Sequence, residues 1–283
     1  VKHLGLFLET AMERRRILAR REDGQPKPWT LNPVFQQWRF CNVHREHDRT
    51  TKWFAENVRS KLQGLDAVFA TIAFRWFNRV DETGLQLLDM LLSGFAGWDS
   101  EAARGRLQNC SPLVTGAYVI KTPDGMSKLD GILWCLDQAH QRLMNNGYLL
   151  GLPTDSLEDA HKVLLQFPYL GKFMAYEVVT DLRWTNVLRN ARDVLTWASA
   201  GPGCARGLGW VVYGDPDQFN YNSRADQGRM LVHMGDLLKV ARTCWSRAFP
   251  GETWEMREVE HWLCEFDKYM RALGGERLKR RFE

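Results

Sequence analysis

The run Asp66-Ala67-Val68-Phe69-Ala70-Thr71-Ile72-Ala73-Phe74-Arg75-Trp76-Phe77-Asn78 limits the possible folds more than any other stretch. It reads as a helix, and its apolar content is too high for one face to meet water, so it belongs inside. Arg75 and Asn78 then lie close to a core, where a buried hydrogen-bond network is their simplest use and lining a site is the functional alternative. One strand-like run stands against this helical pattern, Thr115-Gly116-Ala117-Tyr118-Val119-Ile120, followed by the turn Thr122-Pro123-Asp124-Gly125. With so little strand anywhere, the chain is expected to be mostly α.

The other helices follow from apolar periodicity. A basic helix is expected over Leu4–Arg21, ended by Asp23-Gly24, after which Pro26, Pro28 and Pro33 keep the chain extended until a helix begins near Val34. Residues 84 to 110 are expected to be helical, as are Leu129–Asn145, ended by Asn146-Gly147, and the stretch from Ser156 to Trp184 with one sharp break. Composition agrees with a folded protein, at 45% apolar and 25% charged over 283 residues. That length fits a single helical domain over 1–283, or two helical lobes with a cleft between them.

Net charge is +4 and uneven, with Arg14-Arg15-Arg16 and Arg20-Arg21 near the start and Lys279-Arg280-Arg281 near the end. Such patches suit a polyanion, although amphipathic terminal helices also carry them. The six cysteines have no close pair, which argues against a zinc site of the paired-cysteine type and favours a reducing compartment. No apolar run reaches the roughly 20 residues of a membrane span. A soluble, intracellular protein with no membrane partner is expected.

In Arg39-Phe40-Cys41-Asn42-Val43-His44-Arg45-Glu46-His47-Asp48-Arg49-Thr50-Thr51-Lys52-Trp53, charge and aromatics alternate densely. At helical spacing Phe40, Val43, Thr50 and Phe54 form one stripe and Asn42, Arg45, Arg49 and Lys52 the opposite face. Glu46 and Asp48 could brace the arginines, aiming guanidinium forks at a planar or phosphate-like anion. A solvated face laced with ion pairs is the commoner use of such a run.

The break in the later helices is Leu165-Gln166-Phe167-Pro168-Tyr169-Leu170-Gly171-Lys172-Phe173-Met174-Ala175-Tyr176-Glu177, which reads as a helix-hairpin-helix. Amides opening its second helix, at Gly171 and Lys172, could bind a DNA phosphate without reading a base. The arrangement resembles the hairpin of base-excision DNA glycosylases, enzymes that flip a nucleotide out of the duplex. Phe173 stands where lyase-type members carry a catalytic lysine. Asp193 stands near their essential aspartate but lacks its usual neighbours.

Ala200-Gly201-Pro202-Gly203-Cys204-Ala205-Arg206-Gly207-Leu208-Gly209 reads as a glycine-rich loop, in which Gly201 and Gly203 would let backbone approach an anion and Arg206 would neutralise it. It is no P-loop, and a loop that merely needs positive φ is the plainer reading. In Trp262-Leu263-Cys264-Glu265-Phe266-Asp267-Lys268-Tyr269, an acid, a thiol and an ammonium share a helix face, with structural pairing of Glu265 and Lys268 the ordinary use. Cys264 reads as a packed thiol.

Together these motifs, with Pro28-Trp29-Thr30, resemble one family over nearly the whole chain: the alpha-glutamyl/putrescinyl-thymine pyrophosphorylases of bacteriophages that hypermodify thymine in DNA. That group includes amino acid:DNA transferases and the helical domain of 5-hydroxymethyluracil DNA kinases. Without a Walker-type loop or room for a kinase domain, the chain fits the transferase branch. The resemblance implies a DNA-glycosylase-like helical fold, double-stranded DNA carrying pyrophosphorylated 5-hydroxymethyluracil as substrate, and a free amino acid, glycine for instance, whose amine displaces pyrophosphate. It also implies a functional link to a 5-hydroxymethyluracil DNA kinase and the cytoplasm of an infected bacterium.

Such a reaction needs cations on the leaving pyrophosphate and a carboxylate to take the amine's proton. Arg45, Arg49 and Arg206 suit the first task, and Asp48, Glu46, Asp193 and Glu265 the second. Asp267 and Lys268 are further candidates for holding the substrate or pyrophosphate. Asn42 and Asn78 could meet the uracil edge and Arg39 or Arg75 an amino acid carboxylate. No protein metal ligands are expected, and Mg²⁺ assistance stays open. A glycosylase-like enzyme on a modified base and a non-catalytic DNA-binding module of a modification complex are the alternatives.

Overall fold

The computed structural model describes residues 1–145, 152, 154–279 and 281. It is mostly helical, and the described residues contain no strand, only an isolated antiparallel bridge between Trp38 and Arg281. The chain divides into two compact units, one formed by Val1–Asp48 with Val194–Glu283 and the other by Arg49–Asp193.

The second unit is built around the apolar run. It forms helix α4 (Gly64–Phe77), in which every residue from Ala67 to Phe77 is buried. Before it lies α3 (Arg49–Asn57), whose Phe54 ring stacks on Phe74 at 4.2 Å. After it come α5 (Glu82–Leu92), α6 (Ser100–Leu107), α7 (Lys128–Asn145), α8 (Leu157–Leu164) and α9 (Lys172–Leu182). The expected helix over 84 to 110 is thus two helices, parted by a turn in which Gly94 takes φ +69°. Asn146-Gly147, expected to end α7, lie outside the described residues.

The strand expected over Thr115–Ile120 is not formed, and the segment is irregular. A strand must pair its backbone groups, and the described residues offer no second strand. Val119 instead faces solvent, while Thr115 N–H donates to the Phe77 carbonyl at 2.9 Å.

The first unit has α12 (Met256–Leu273) at its centre, with Val259, Trp262, Leu263 and Phe266 fully buried at helical spacing. Around it lie α1 (Leu4–Glu22), α2 (Pro33–Gln37), α10 (Pro202–Tyr213) and α11 (Arg224–Ala248). Trp262 Nε1 donates to the Phe7 carbonyl at 3.1 Å, and the Phe7 and Phe266 rings meet edge to face. The arginines of α1 are largely neutralised within the unit. Arg15 pairs with Glu252 at 2.6 Å, Arg16 and Arg20 pair with Glu13, and Arg14 is buried. At the other end of the chain, Arg280 lies outside the described residues.

The glycine-rich stretch is helix. Gly201 is the N-cap of α10, Pro202 its first residue, and none of its glycines has positive φ. The glycines serve packing: a Cβ on Gly207 would lie 2.0 Å from the Leu263 carbonyl oxygen, and one on Gly203 3.2 Å from Cys264 Sγ. Both the anion loop and the positive-φ loop therefore give way to a helix seated backbone-close on α12.

Candidate functional site

The helix expected to run on from Val34 stops at Gln37, and the residues up to Asp48 form a closed loop ending in a single 3₁₀ turn at Arg45–His47. Asn42 explains the loop. Its buried side-chain amide donates to the His47 carbonyl at 2.9 Å and to Asp48 Oδ1 at 3.0 Å, and its backbone N–H donates to the same oxygen at 2.9 Å. Short amide and carboxylate side chains offer the backbone this alternative to helix, which periodicity does not register. Phe40 and Val43 are buried as expected, but Arg45, Arg49 and Lys52 do not share one continuous helical face.

Helix α12 holds the loop from the other side. His261 Nε2 lies 3.0 Å from the Asn42 carbonyl, and Glu265 Oε2 accepts from Cys41 N–H at 2.8 Å and from Lys268 at 2.6 Å. The Lys268 ammonium also sits 4.5 Å from the Phe40 ring centroid. Burial works against the Glu265 charge, but Lys268, His261 and the Cys41 amide outweigh it and hold the carboxyl below its ordinary value. Asp48 takes both Asn42 donors on Oδ1, and its Oδ2 has no hydrogen-bond partner among the described residues. Glu46 lies 3.5 Å from Arg257. Arg14 is 4% exposed and donates from Nε to the Phe40 carbonyl, with no hydrogen-bond partner at Nη1. Burial lowers its pKa against the opposing charges of Asp48 and Cys41.

Further along α12, Asp267 accepts from Arg206 Nε at 3.2 Å, Trp210 Nε1 at 3.3 Å and Arg271 Nε at 3.1 Å. Arg206 also reaches Asp217 at 3.0 Å. Arg206, Asp267, Glu265 and Lys268 are therefore engaged with protein partners. Arg39 is exposed and has no ion pair among the described residues, and in the second unit the same holds for Arg49.

In the second unit Arg75 is the hub of a buried network. Its Nε and Nη2 donate to the two oxygens of Asp181 at 2.6 and 2.9 Å, and Nη1 donates to Asn78 Oδ1 at 3.0 Å and Tyr118 Oη at 3.2 Å. Glu177 lies 3.5 Å from Arg75 and accepts from the Tyr118 hydroxyl at 2.5 Å. Arg59 approaches Asp181 at 3.5 Å. Desolvation pulls the Arg75 pKa down, but Asp181 above all, with Tyr118 and Glu177, raises it beyond its ordinary value. Asn78 takes left-handed φ and ψ of 48° and 47° to end α4, which an asparagine tolerates.

The sequence reading placed Arg75 and Asn78 near the core but overlooked their partners. Glu177 and Asp181, four apart within the apolar α9, were the signal. His261 was also overlooked, and Cys41 was read only as one of six scattered cysteines.

Asp193 holds the start of α8, accepting from Ser156 Oγ at 2.9 Å, Leu157 N–H at 2.7 Å and Glu158 N–H at 3.0 Å. Between α8 and α9 the chain turns through Tyr169, at φ 59°, to Gly171, the N-cap of α9. Gly171 has open space where a side chain would stand, and Lys172, Phe173 and Tyr169 are exposed. His161 Nε2 meets the Lys172 carbonyl at 2.9 Å and braces the turn from below.

Comparison with known proteins gives the chain a family. The sequence profile described as 5-hmdU DNA kinase, helical domain, covers residues 1–277. The chain belongs to that family. A relative from Bacillus phage SP10, called 5-hmdU DNA kinase, is 25% identical over 302 residues, which span 96% of this chain and 45% of the relative. The chain thus spans less than half of that phage protein's length. No solved structure matches it. None of the helices among the described residues is long and apolar enough to cross a membrane.

Proposed function

We propose that the chain is an amino acid:DNA transferase, in which the amine of an amino acid displaces pyrophosphate from the exocyclic methylene of a pyrophosphorylated 5-hydroxymethyluracil in DNA. A carbon–nitrogen bond forms, the carbon–oxygen bond to pyrophosphate breaks, and the amine's proton goes to a carboxylate. The observation that carries this reading is the match of a 5-hmdU DNA kinase helical domain to residues 1–277, together with a loop offering acids and an uncommitted arginine.

Among the carboxylates, Asp48 serves best as proton acceptor, since Asn42 orients one oxygen and the other has no hydrogen-bond partner. Glu46, on the same loop, is the second choice. Glu265 and Asp193 already accept two and three protein hydrogen bonds. Of the cations, Arg39 can meet an incoming pyrophosphate without breaking an ion pair among the described residues, and Arg45 lies on the same loop. Arg75 and Asn78 act as a buried brace for the second unit, and Asn42 holds the loop before it meets any base.

The fold is read as DNA-glycosylase-like, with α8, the turn and α9 as its helix-hairpin-helix. The N-terminal amides of α9 at Gly171 and Lys172 meet a DNA phosphate, and the exposed Phe173 and Tyr169 pack beside the backbone. Gly201, open at the start of α10, is a second backbone contact, whereas Gly203 is occupied by packing. A base taken out of the stack would present its methylene to the amine. A kinase that first phosphorylates 5-hydroxymethyluracil supplies the substrate class.

The test is incubation with pyrophosphorylated 5-hydroxymethyluracil DNA and mixed amino acids, followed by nucleoside mass spectrometry. A nucleoside carrying an amino acid mass supports the reading and names the donor. Abasic sites would instead identify a glycosylase-like enzyme, and unchanged DNA that is nonetheless bound would identify a binding module.

A further inference from the structure

Cys41, Asp48 and His261 each bring a ligand atom to one place in the first unit, and the three atoms lie within 4.8 Å of one another. Around a zinc ion at ordinary bond lengths, tetrahedral ligands stand about 3.3–3.8 Å apart. A closing movement of about 1 Å or less would complete the set.

The surroundings of these residues match those of ligands. A metal-binding histidine ordinarily donates its other ring N–H to a carbonyl or carboxylate, which fixes the tautomer. Here His261 Nε2 is 3.0 Å from the Asn42 carbonyl, which orients the ring against the loop. A ligating carboxylate is likewise held by hydrogen bonds to one oxygen, and Asn42 holds Asp48 Oδ1 twice while Oδ2 has none. Cys41 is positioned by its own N–H on Glu265. One residue, Asn42, therefore orients two of the three ligands and adjoins the third.

Charge is consistent as well. A thiolate and a carboxylate together neutralise a divalent ion, so binding with loss of the thiol proton changes the local net charge by only one unit.

We propose that the Cys41 sulfur, an Asp48 carboxylate oxygen and a ring nitrogen of His261 bind one zinc ion, with a fourth position open to water or an incoming phosphate oxygen. Three protein ligands of mixed sulfur, nitrogen and oxygen type are the set of a zinc site with an exchangeable position. The thiol loses its proton to solvent as the metal–sulfur bond forms. With the ion bound, Asp48 is a ligand and Glu46 becomes the proton acceptor of the transfer reaction. The site itself does not depend on that reaction.

The test uses the full chain without DNA or amino acid. Metal content is measured on protein purified without chelator, and Co²⁺ is then titrated into metal-free protein while thiolate-to-cobalt charge-transfer absorption is followed. About one zinc per chain and a charge-transfer band are expected. The band should be lost in Cys41→Ser and kept in Cys244→Ser, and Asn42→Ala should weaken Co²⁺ binding by about 10–100-fold. Far-ultraviolet circular dichroism verifies that each variant is folded, and Cys41→Ala replaces any serine variant that is not. Metal-free protein that shows no thiolate band on adding Co²⁺, or a band that survives in both Cys41 variants, overturns the proposal. Because the readout contains no substrate, failure of the metal site is distinct from failure of the transfer reaction.

Discussion

Asp181→Ala tests what holds the second unit together. Asp181 is 1% exposed and receives two short hydrogen bonds from Arg75, itself 1% exposed, with Arg59 approaching at 3.5 Å. Removing the carboxylate leaves Arg75 with Glu177 at 3.5 Å and two neutral partners, so a buried cation loses its main counter-charge. Breaking such a pair from one side costs about 3–5 kcal/mol, because the remaining charge stays desolvated. In a unit of this size that corresponds to a fall in melting temperature of roughly 6–20 °C. Urea unfolding followed by far-ultraviolet circular dichroism measures it, with the double variant Arg75→Met/Asp181→Leu alongside. The double variant should recover part of the loss, since the Arg75 charge is gone while Glu177 and Arg59 each lose one partner. A loss below about 1 kcal/mol in the single variant would refute the network as the brace between α4 and α9.

Other perturbations follow from single contacts. Gly207→Ala puts a methyl where the Leu263 carbonyl stands, so α10 must move off α12, at a cost of about 1–3 kcal/mol in thermal unfolding. Asp193→Ala removes three hydrogen bonds from the start of α8 and should cost about 1–2 kcal/mol, read by denaturant midpoint. His161 is depressed below its ordinary 6.5 chiefly by desolvation, only partly offset by its bond to the Lys172 carbonyl. A depressed folded-state value means that the unfolded chain takes up its proton first. This contribution is therefore present above 6.5 and is lost as pH falls from there through the folded value. Melting temperature should drop as pH falls below 6.5, and His161→Gln should flatten that part of the curve.

Much of the helical plan was legible in the sequence, and its failures have physical causes. The central helix read as 66–78 is 64–77, and the start near Ser156 is a true N-cap, where Ser156 accepts from Asp159 N–H. Both calls rested on strong local signals, a continuous apolar run and a capping side chain. The loop from Trp38 to Asp48 was read as helix because Phe40, Val43 and Phe54 keep a helical interval, yet Asn42 and Asp48 close on each other and break it. The glycines of α10 read as a loop because close approach to a partner helix and freedom of φ call for the same residue. The run at Tyr118 has strand composition but no partner strand among the described residues, and its hydroxyl is used by Glu177. Of the candidate site, the acids and arginines of the loop were visible, whereas His261 was not: more than 200 residues of chain separate it from Asn42.

The transfer reaction is tested most directly with an isotope in the donor. Pyrophosphorylated 5-hydroxymethyluracil DNA is incubated with the chain and amino acids labelled with ¹⁵N at the α-amine, and both the nucleosides and the released pyrophosphate are measured. The account predicts a nucleoside that carries the label, formed one for one with pyrophosphate and lost in Arg39→Ala with the melting curve unchanged. Pyrophosphate released without label in the DNA would mean that water is the nucleophile, and would contradict it.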